Sequence, residues 1–194
     1  INANVNTVIR PNEYFVKLQA RGSRDKRAVV NMAWGYGGKD FKNAKETKPY
    51  LGPKFWCPNI QYSYDGNNYK VYRYADAILM KAECLMRLNG DVANGEALAL
   101  VNQVHTRAGL APYASLDLEE LLNERGRELA WEGHRRQDLI RFGKYAEGKW
   151  EFMDKDENGA KIDPSFRDEH VNIFPIPEWV MVANPGVYTQ NPGY

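Results

Sequence analysis

The sequence predicts a mainly α protein, in which tetratricopeptide-like helical hairpins carry long irregular, aromatic-rich loops and few short strands. Three observations predict it. Apolar residues recur at spacings of three and four between Tyr72 and Ala108, the period of an amphipathic helix. Asn89-Gly90 and Gly109 close the two periodic runs with residue types that end helices. Before residue 70, by contrast, Gly, Pro, Asn and aromatic residues accumulate, and Gly35-Tyr36-Gly37-Gly38, Gly52-Pro53, Cys57-Pro58 and Asp65-Gly66-Asn67-Asn68 mark turns that leave room only for brief strands. The expected organisation is a loop-rich, ligand-facing segment over 1–70 and a helical region over 71–194, in one compact unit.

The first helix begins at Tyr72 and places Ala75, Ile78, Leu79, Ala82, Leu85 and Met86 on one stripe. The second carries Ala97, Leu98, Val101, Val104 and Ala108, so the pair reads as an antiparallel hairpin of about 35 residues with Gly90 at its turn, the dimensions of one tetratricopeptide unit. A single unit cannot bury both its faces. That, with Ile1 in place of an initiator Met, gives the expectation that the chain is part of a longer protein. A third helix starts where Ser115 or Asp117 can cap it and Glu119 and Glu120 complement its dipole. Leu118, Leu121, Leu122, Leu129 and Trp131 supply its apolar surface up to Gly133. Arg135 to Phe142 reads as a shorter helix stopped by Gly143. Residues 145–168 are polar and aperiodic, a long surface excursion. The tail reads as an extended Val171-to-Pro177 segment leading into a helical turn over Glu178 to Val182. Trp131 and Trp179, on helices, are expected in the core.

Composition narrows the function classes. Apolar residues are 43% and charged residues 26%, the balance of a globular protein. With 26 Lys and Arg against 25 Asp and Glu, the formal charge of +1 gives no field to draw nucleic acid. No stretch approaches the ~20 apolar residues of a transmembrane helix, and residues 1–4 form no export signal. Two cysteines, Cys57 and Cys84, are too few for a disulfide framework or a zinc site and read as free or buried thiols.

The richest chemical constellation is Glu124, Arg125, Arg127, Glu128, Glu132, His134, Arg135, Asp138 and Arg141. Glu124, Glu128 and Glu132 recur every fourth residue, a spacing that suits acid/base or metal chemistry but equally suits ion pairs such as Glu124 with Arg127 and Glu128 with Arg125. The ion-pair reading is preferred, because nucleophile, zinc and phosphate-loop motifs are all absent. Asp154-Lys155-Asp156-Glu157-Asn158-Gly159 opens like a calcium loop, yet position twelve is Ser165. Asp154, Asp156 and Asn158 are therefore a weak calcium candidate beside the reading as a solvated acidic turn, and no cofactor is expected.

The 5 Trp, 12 Tyr and 7 Phe are the unusual component. Trp34, Tyr36, Trp56, Tyr62 and Tyr64 lie in Gly/Pro-rich segments, with Asn59, Gln61, Asn67 and Arg21 as polar neighbours. A sugar stacks its C–H face on such rings while amides and guanidinium groups bond its hydroxyls. These residues, Asn59 included, are the candidate ligand-binding set. The competing role for each ring is packing its loop onto the helices.

Four segments, in order, resemble the SusD/RagB family of nutrient-binding outer-membrane lipoproteins. Tyr72 to Glu83 is similar to "RYADxxLMxAE" and Val101 to Leu110 to "VNxVRxRAGL". Glu124 to Arg141 is similar to "ERxRELxxEGxRxxDLxR", and Phe174-Pro175-Ile176-Pro177 with Asn191-Pro192-Gly193-Tyr194 to "PIPxxE…NPGY". His105, where Arg is frequent, and Gln137, where an aromatic is frequent, depart modestly. The resemblance is strong over about residues 70–194 and loose before them. It implies a SusD-like helical fold and a non-catalytic protein of polysaccharide utilisation, held at the cell surface by an N-terminal lipid outside this chain. Such a protein passes oligosaccharide to a SusC-like TonB-dependent transporter in the outer membrane. The alternatives are a helical-repeat adaptor or peptide-binding uptake protein, suggested by the hairpin, and a glycan-active enzyme, suggested by the Glu/His cluster.

Overall fold

The structure is a computed structural model and describes residues 25–27, 54, 70–146 and 169–194. These residues are mainly helical, and among them the sole β feature is an isolated antiparallel bridge between Val92 and Asp117. The chain divides into two compact units, Ile1–Arg135 and Arg136–Tyr194.

In the first unit, α1 (Tyr74–Leu88), α2 (Gly95–Arg107) and α3 (Leu118–Glu128) pack pairwise against one another. Ile78, Leu79, Ala82 and Met86 of the α1 stripe are buried, and Ala97, Val101 and Val104 of α2 face them. Leu116, Leu121, Leu122 and Leu129 close the core from α3 and its flanks. Each large side chain withdrawn from water in this way contributes about 1.5–3 kcal/mol before packing and entropy are considered. Ala75, Leu85 and Leu98, at the edges of their stripes, are half-buried.

The helix boundaries follow from local chemistry. At the end of α1, Gly90 takes φ 69° and the Asp91 amide donates back to the Met86 carbonyl at 2.9 Å, a closing bond that needs the left-handed residue between them. Asp91 itself is left-handed, at φ 67°. The Asn94 side chain accepts the Ala97 amide at 2.8 Å and starts α2. Of the two residues expected to cap α3, Asp117 does so, accepting the Glu120 amide at 2.8 Å. The Ala93 amide donates to the Leu116 carbonyl at 3.0 Å, so the α1–α2 turn and the α3 cap are tied together.

Two expectations are corrected. Trp131 is not on α3: the helix ends at Glu128, and Trp131 occupies a left-handed turn position at φ 66°, half-buried, where the chain reverses toward Gly133. Trp179 lies on a helix but is 73% exposed, because that helix spans only six residues and buries none of them.

The second unit includes most of α4 (Arg135–Arg141), a 3-10 turn (Glu169–Asn172) and α5 (Glu178–Ala183). The expected extended segment thus begins as a 3-10 turn. Its continuation is held by the chain terminus: Gln190 accepts the Ile176 amide at 2.8 Å and donates to the Ile176 carbonyl at 2.9 Å, satisfying both backbone groups as a neighbouring strand would. Asn191 donates to the Phe174 carbonyl at 2.8 Å, and the Tyr194 hydroxyl to the Ile173 carbonyl at 2.8 Å. Arg136 lies 3.9 Å over the Phe174 ring and donates to the Val171 carbonyl at 2.9 Å. Among the described residues, no helix is long and apolar enough to cross a membrane.

Candidate functional site

The carboxylates at every fourth position converge as the sequence predicts. Glu124 and Glu128 lie one turn apart on α3, and Glu132 follows its end. Glu124 is fully buried and Glu128 is 3% exposed. Two such anions cannot remain charged away from water without partners.

Glu124 accepts from Arg27 at 2.6 Å and from Arg127 Nε at 3.0 Å and Nη2 at 2.8 Å. Nδ1 of His105 stands 3.0 Å from the same carboxylate, and the imidazole stacks on Tyr113 with centroids 3.9 Å apart. Tyr113 is held by Asn102, which accepts its amide at 2.8 Å and donates to its carbonyl at 3.1 Å. Its hydroxyl donates to Glu120 at 2.6 Å and accepts from Arg127 at 2.8 Å. Glu128 receives Arg27 at 3.2 Å, Arg73 at 2.7 Å and Arg107 at 2.7 Å on each oxygen. Glu132 receives Arg73 Nε at 2.7 Å and pairs with Lys54. The Lys54 ammonium also donates to the Glu128 carbonyl at 2.6 Å and the Ala130 carbonyl at 2.9 Å. Asp25 completes the set by bracing Arg27 through Nε and Nη2, both at 2.9 Å.

The electrostatics follow from this geometry. Burial alone would raise the Glu124 carboxyl, but hydrogen bonds from His105 and Arg27 and the charges of Arg27 and Arg127 hold it well below the usual carboxylate range. Glu132 is held low in the same way by Arg73 and Lys54. Burial opposes the charged form of Arg27, yet Asp25 and Glu124 keep it above its ordinary value. For Lys54, burial prevails over Glu132 and the pKa falls.

A general acid must hold a proton to give, and Glu124 and Glu132 hold theirs too weakly. With each carboxylate paired to fixed cations, the constellation is a buried ion-pair network. Its expected Glu124–Arg127 pair is present, while Arg125 reaches across to Asp76 of α1 at 3.0 Å. Asp138 pairs with Arg141 at 2.8 Å in the second unit, and Arg135 donates to the Leu122 carbonyl at 2.7 Å.

Asp25, Arg27, Lys54, Arg73 and Arg107 are members that the sequence did not mark. Asp76 and Glu83, which interrupt the apolar stripe of α1, are also buried, and they pair with Arg125 and Arg87. The ligand-binding candidates Trp34, Tyr36, Trp56, Asn59, Tyr62 and Tyr64 lie outside the described residues, as do Arg21, Gln61 and Asn67. So do Cys57 and the calcium candidate Asp154, Asp156 and Asn158. Among the described residues, no group of three His, Cys, Asp or Glu could hold a metal ion, and Cys84 is a free, exposed thiol.

Comparison with known proteins adds a direct relationship. The model of the SusD family matches residues 5–194. The starch-binding protein SusD of Bacteroides thetaiotaomicron is 31% identical over 135 residues, which are 68% of this chain and 22% of that protein. SusD-like protein P25 of Formosa agariphila is 32% identical over 173 residues, 83% of this chain and 30% of that protein. Among solved structures, a SusD superfamily protein from Parabacteroides distasonis superposes with a TM-score of 0.66 at 26% identity, covering 95% of this chain and 42% of that one. Surface glycan-binding protein A from Bacteroides uniformis gives 0.60 at 25% identity, covering 92% and 40%. The chain spans less than a third of the length of these curated relatives.

Proposed function

The chain belongs to the SusD family, and from that premise we propose that it serves a non-catalytic glycan-binding protein of an outer-membrane polysaccharide-uptake system. The observation that carries this reading is the family match over residues 5–194, with relatives named for starch and glycan binding. The commitment of the Glu124/Glu128/Glu132 cluster to fixed cations supports the non-catalytic part. In this reading, residues 71–194 form the helical region and residues 1–70 supply the ligand-facing surface, with Trp34, Tyr36, Trp56, Tyr62 and Tyr64 as stacking platforms and Asn59 as a polar partner. The protein sits at the outer membrane through an N-terminal lipid and passes oligosaccharide to a TonB-dependent, SusC-like transporter.

A glycan array followed by calorimetry tests the proposal. A glycan hit whose affinity falls about tenfold in Trp34→Ala or Trp56→Ala, the loss expected for one stacked ring, supports aromatic capture. Peptide binding with no glycan signal would replace it with peptide uptake or a helical-repeat adaptor.

A further inference from the structure

Three cations from separate places in the first 73 residues meet on one short stretch of chain. Arg27 reaches Glu124 at 2.6 Å and Glu128 at 3.2 Å. Arg73 reaches Glu128 and Glu132, each at 2.7 Å. Lys54 pairs with Glu132 and donates to the backbone carbonyls of Glu128 and Ala130. The anchors interlock: Arg27 and Arg73 share Glu128, and Lys54 and Arg73 share Glu132. An ammonium has three donors, and here each has an acceptor. Lys54 is therefore held in a fitted, largely buried cradle, with 15% of its side chain exposed.

Arg27, Lys54 and Arg73, which bound two stretches of the sequence, are thus all seated on the acidic stretch. The first stretch, 28–53, contains Trp34 and Tyr36 in sequence; the second, 55–72, contains Trp56, Asn59, Tyr62 and Tyr64. Both have their ends at the same place, and Lys54 is the end that they share.

We propose that residues 124–132 are the common anchor of both aromatic segments, and that Lys54 is a positioning residue that fixes where one segment ends and the other begins. The anchoring stands on the contacts above, whereas its importance for a ligand rests on the glycan-binding reading. Lys81, whose pairing with Glu96 is on the surface with both side chains more than half exposed, provides a control cation outside this anchor.

Hydrogen exchange by mass spectrometry on the full chain tests the anchor without any ligand. Lys54→Met should speed exchange about tenfold in peptides from 28–53 and 55–72, as loss of one charge-assisted bond set implies, while peptides from α1 and α2 stay as in the parent. Glu132→Gln should show the same pattern at smaller size, and Lys81→Met should not show it. Equal acceleration in the helices would make Lys54 a general stabiliser and overturn the proposal, as would no change in either segment. Calorimetry with maltoheptaose is the second arm. Weaker binding by Lys54→Met with unchanged helix exchange supports the positioning role, and unaltered affinity overturns it. If the parent chain does not bind maltoheptaose, that counts against a starch-type ligand, and the exchange result alone decides the anchor.

Discussion

Arg125 and Asp76 stand 3.0 Å apart with only 2% and 1% of their side chains exposed, joining α3 to α1 through the middle of the core. A charge in such a position is costly to leave unmatched. Asp76→Ala should therefore destabilise the protein by about 3–5 kcal/mol, the usual effect of removing one partner of a buried pair. Urea denaturation provides the measurement. Replacing both residues, as Asp76→Leu with Arg125→Met, should cost less than the single change, since no orphaned charge remains. A single-variant loss below about 1 kcal/mol, the scale of a surface pair, would show that the pair is not buried in solution.

Stability should fall on acidification, with a predictable sign. Glu124 and Glu132 have folded-state values below those of the unfolded chain, so the unfolded state takes up protons first. Their contribution is complete above the unfolded carboxylate pKa of about 4.3 and is lost as pH falls through the lower folded values. Melting temperatures followed from pH 7 downward should show a decline beginning near about pH 5. In Glu124→Gln the starting stability should be lower and the decline shallower. An identical slope in parent and variant would remove Glu124 from this account.

Gly193 carries the third expectation. At φ 92°, a Cβ there would stand 2.5 Å from Cβ of His170, whose ring packs edge-on against Tyr194. Gly193→Ala combines a disfavoured backbone angle with a clash against a side chain close to its own backbone, at a cost of about 1–3 kcal/mol. The terminus should detach from residues 170–176, so limited proteolysis should cut the second unit sooner. Cleavage at the parent rate would show that this docking contributes nothing.

What could be read in the sequence was what is local. The α1–α2 hairpin, the Asp117 cap and the stops at Gly90, Gly109 and Gly143 each depend on residues a few places apart, and each appears. The Glu124–Arg127 pair was also legible, because the two lie three residues apart on one helix, whereas Glu128, expected to pair with Arg125, is joined by Arg27, Arg73 and Arg107, and Arg125 by Asp76. Arg27, Lys54 and Arg73 were not legible, since contacts spanning 97, 74 and 59 residues leave no periodic trace. Trp131 and Trp179 misled for another reason. A large apolar residue at helical spacing normally marks core, but one sits beyond the end of its helix and the other on a helix too short to bury a face.

The order of synthesis gives the acidic stretch a further consequence. A ribosome delivers Arg27, Lys54, Arg73 and Arg107 before any of Glu124, Glu128 and Glu132 exists. The α1–α2 hairpin is complete by Arg107 and can form from neighbouring sequence, whereas the earlier cations must stay in water until α3 arrives. The pairs made by Arg27, Lys54 and Arg73 can therefore close only once α3 and Glu132 have been made, although their cations are made earlier. A nascent chain stopped before residue 118 would have its hairpin sequence and the Ala108 carbonyl, which accepts the Lys26 amide at 2.9 Å, but not the carboxylates of Glu124 and Glu128 that receive Arg27.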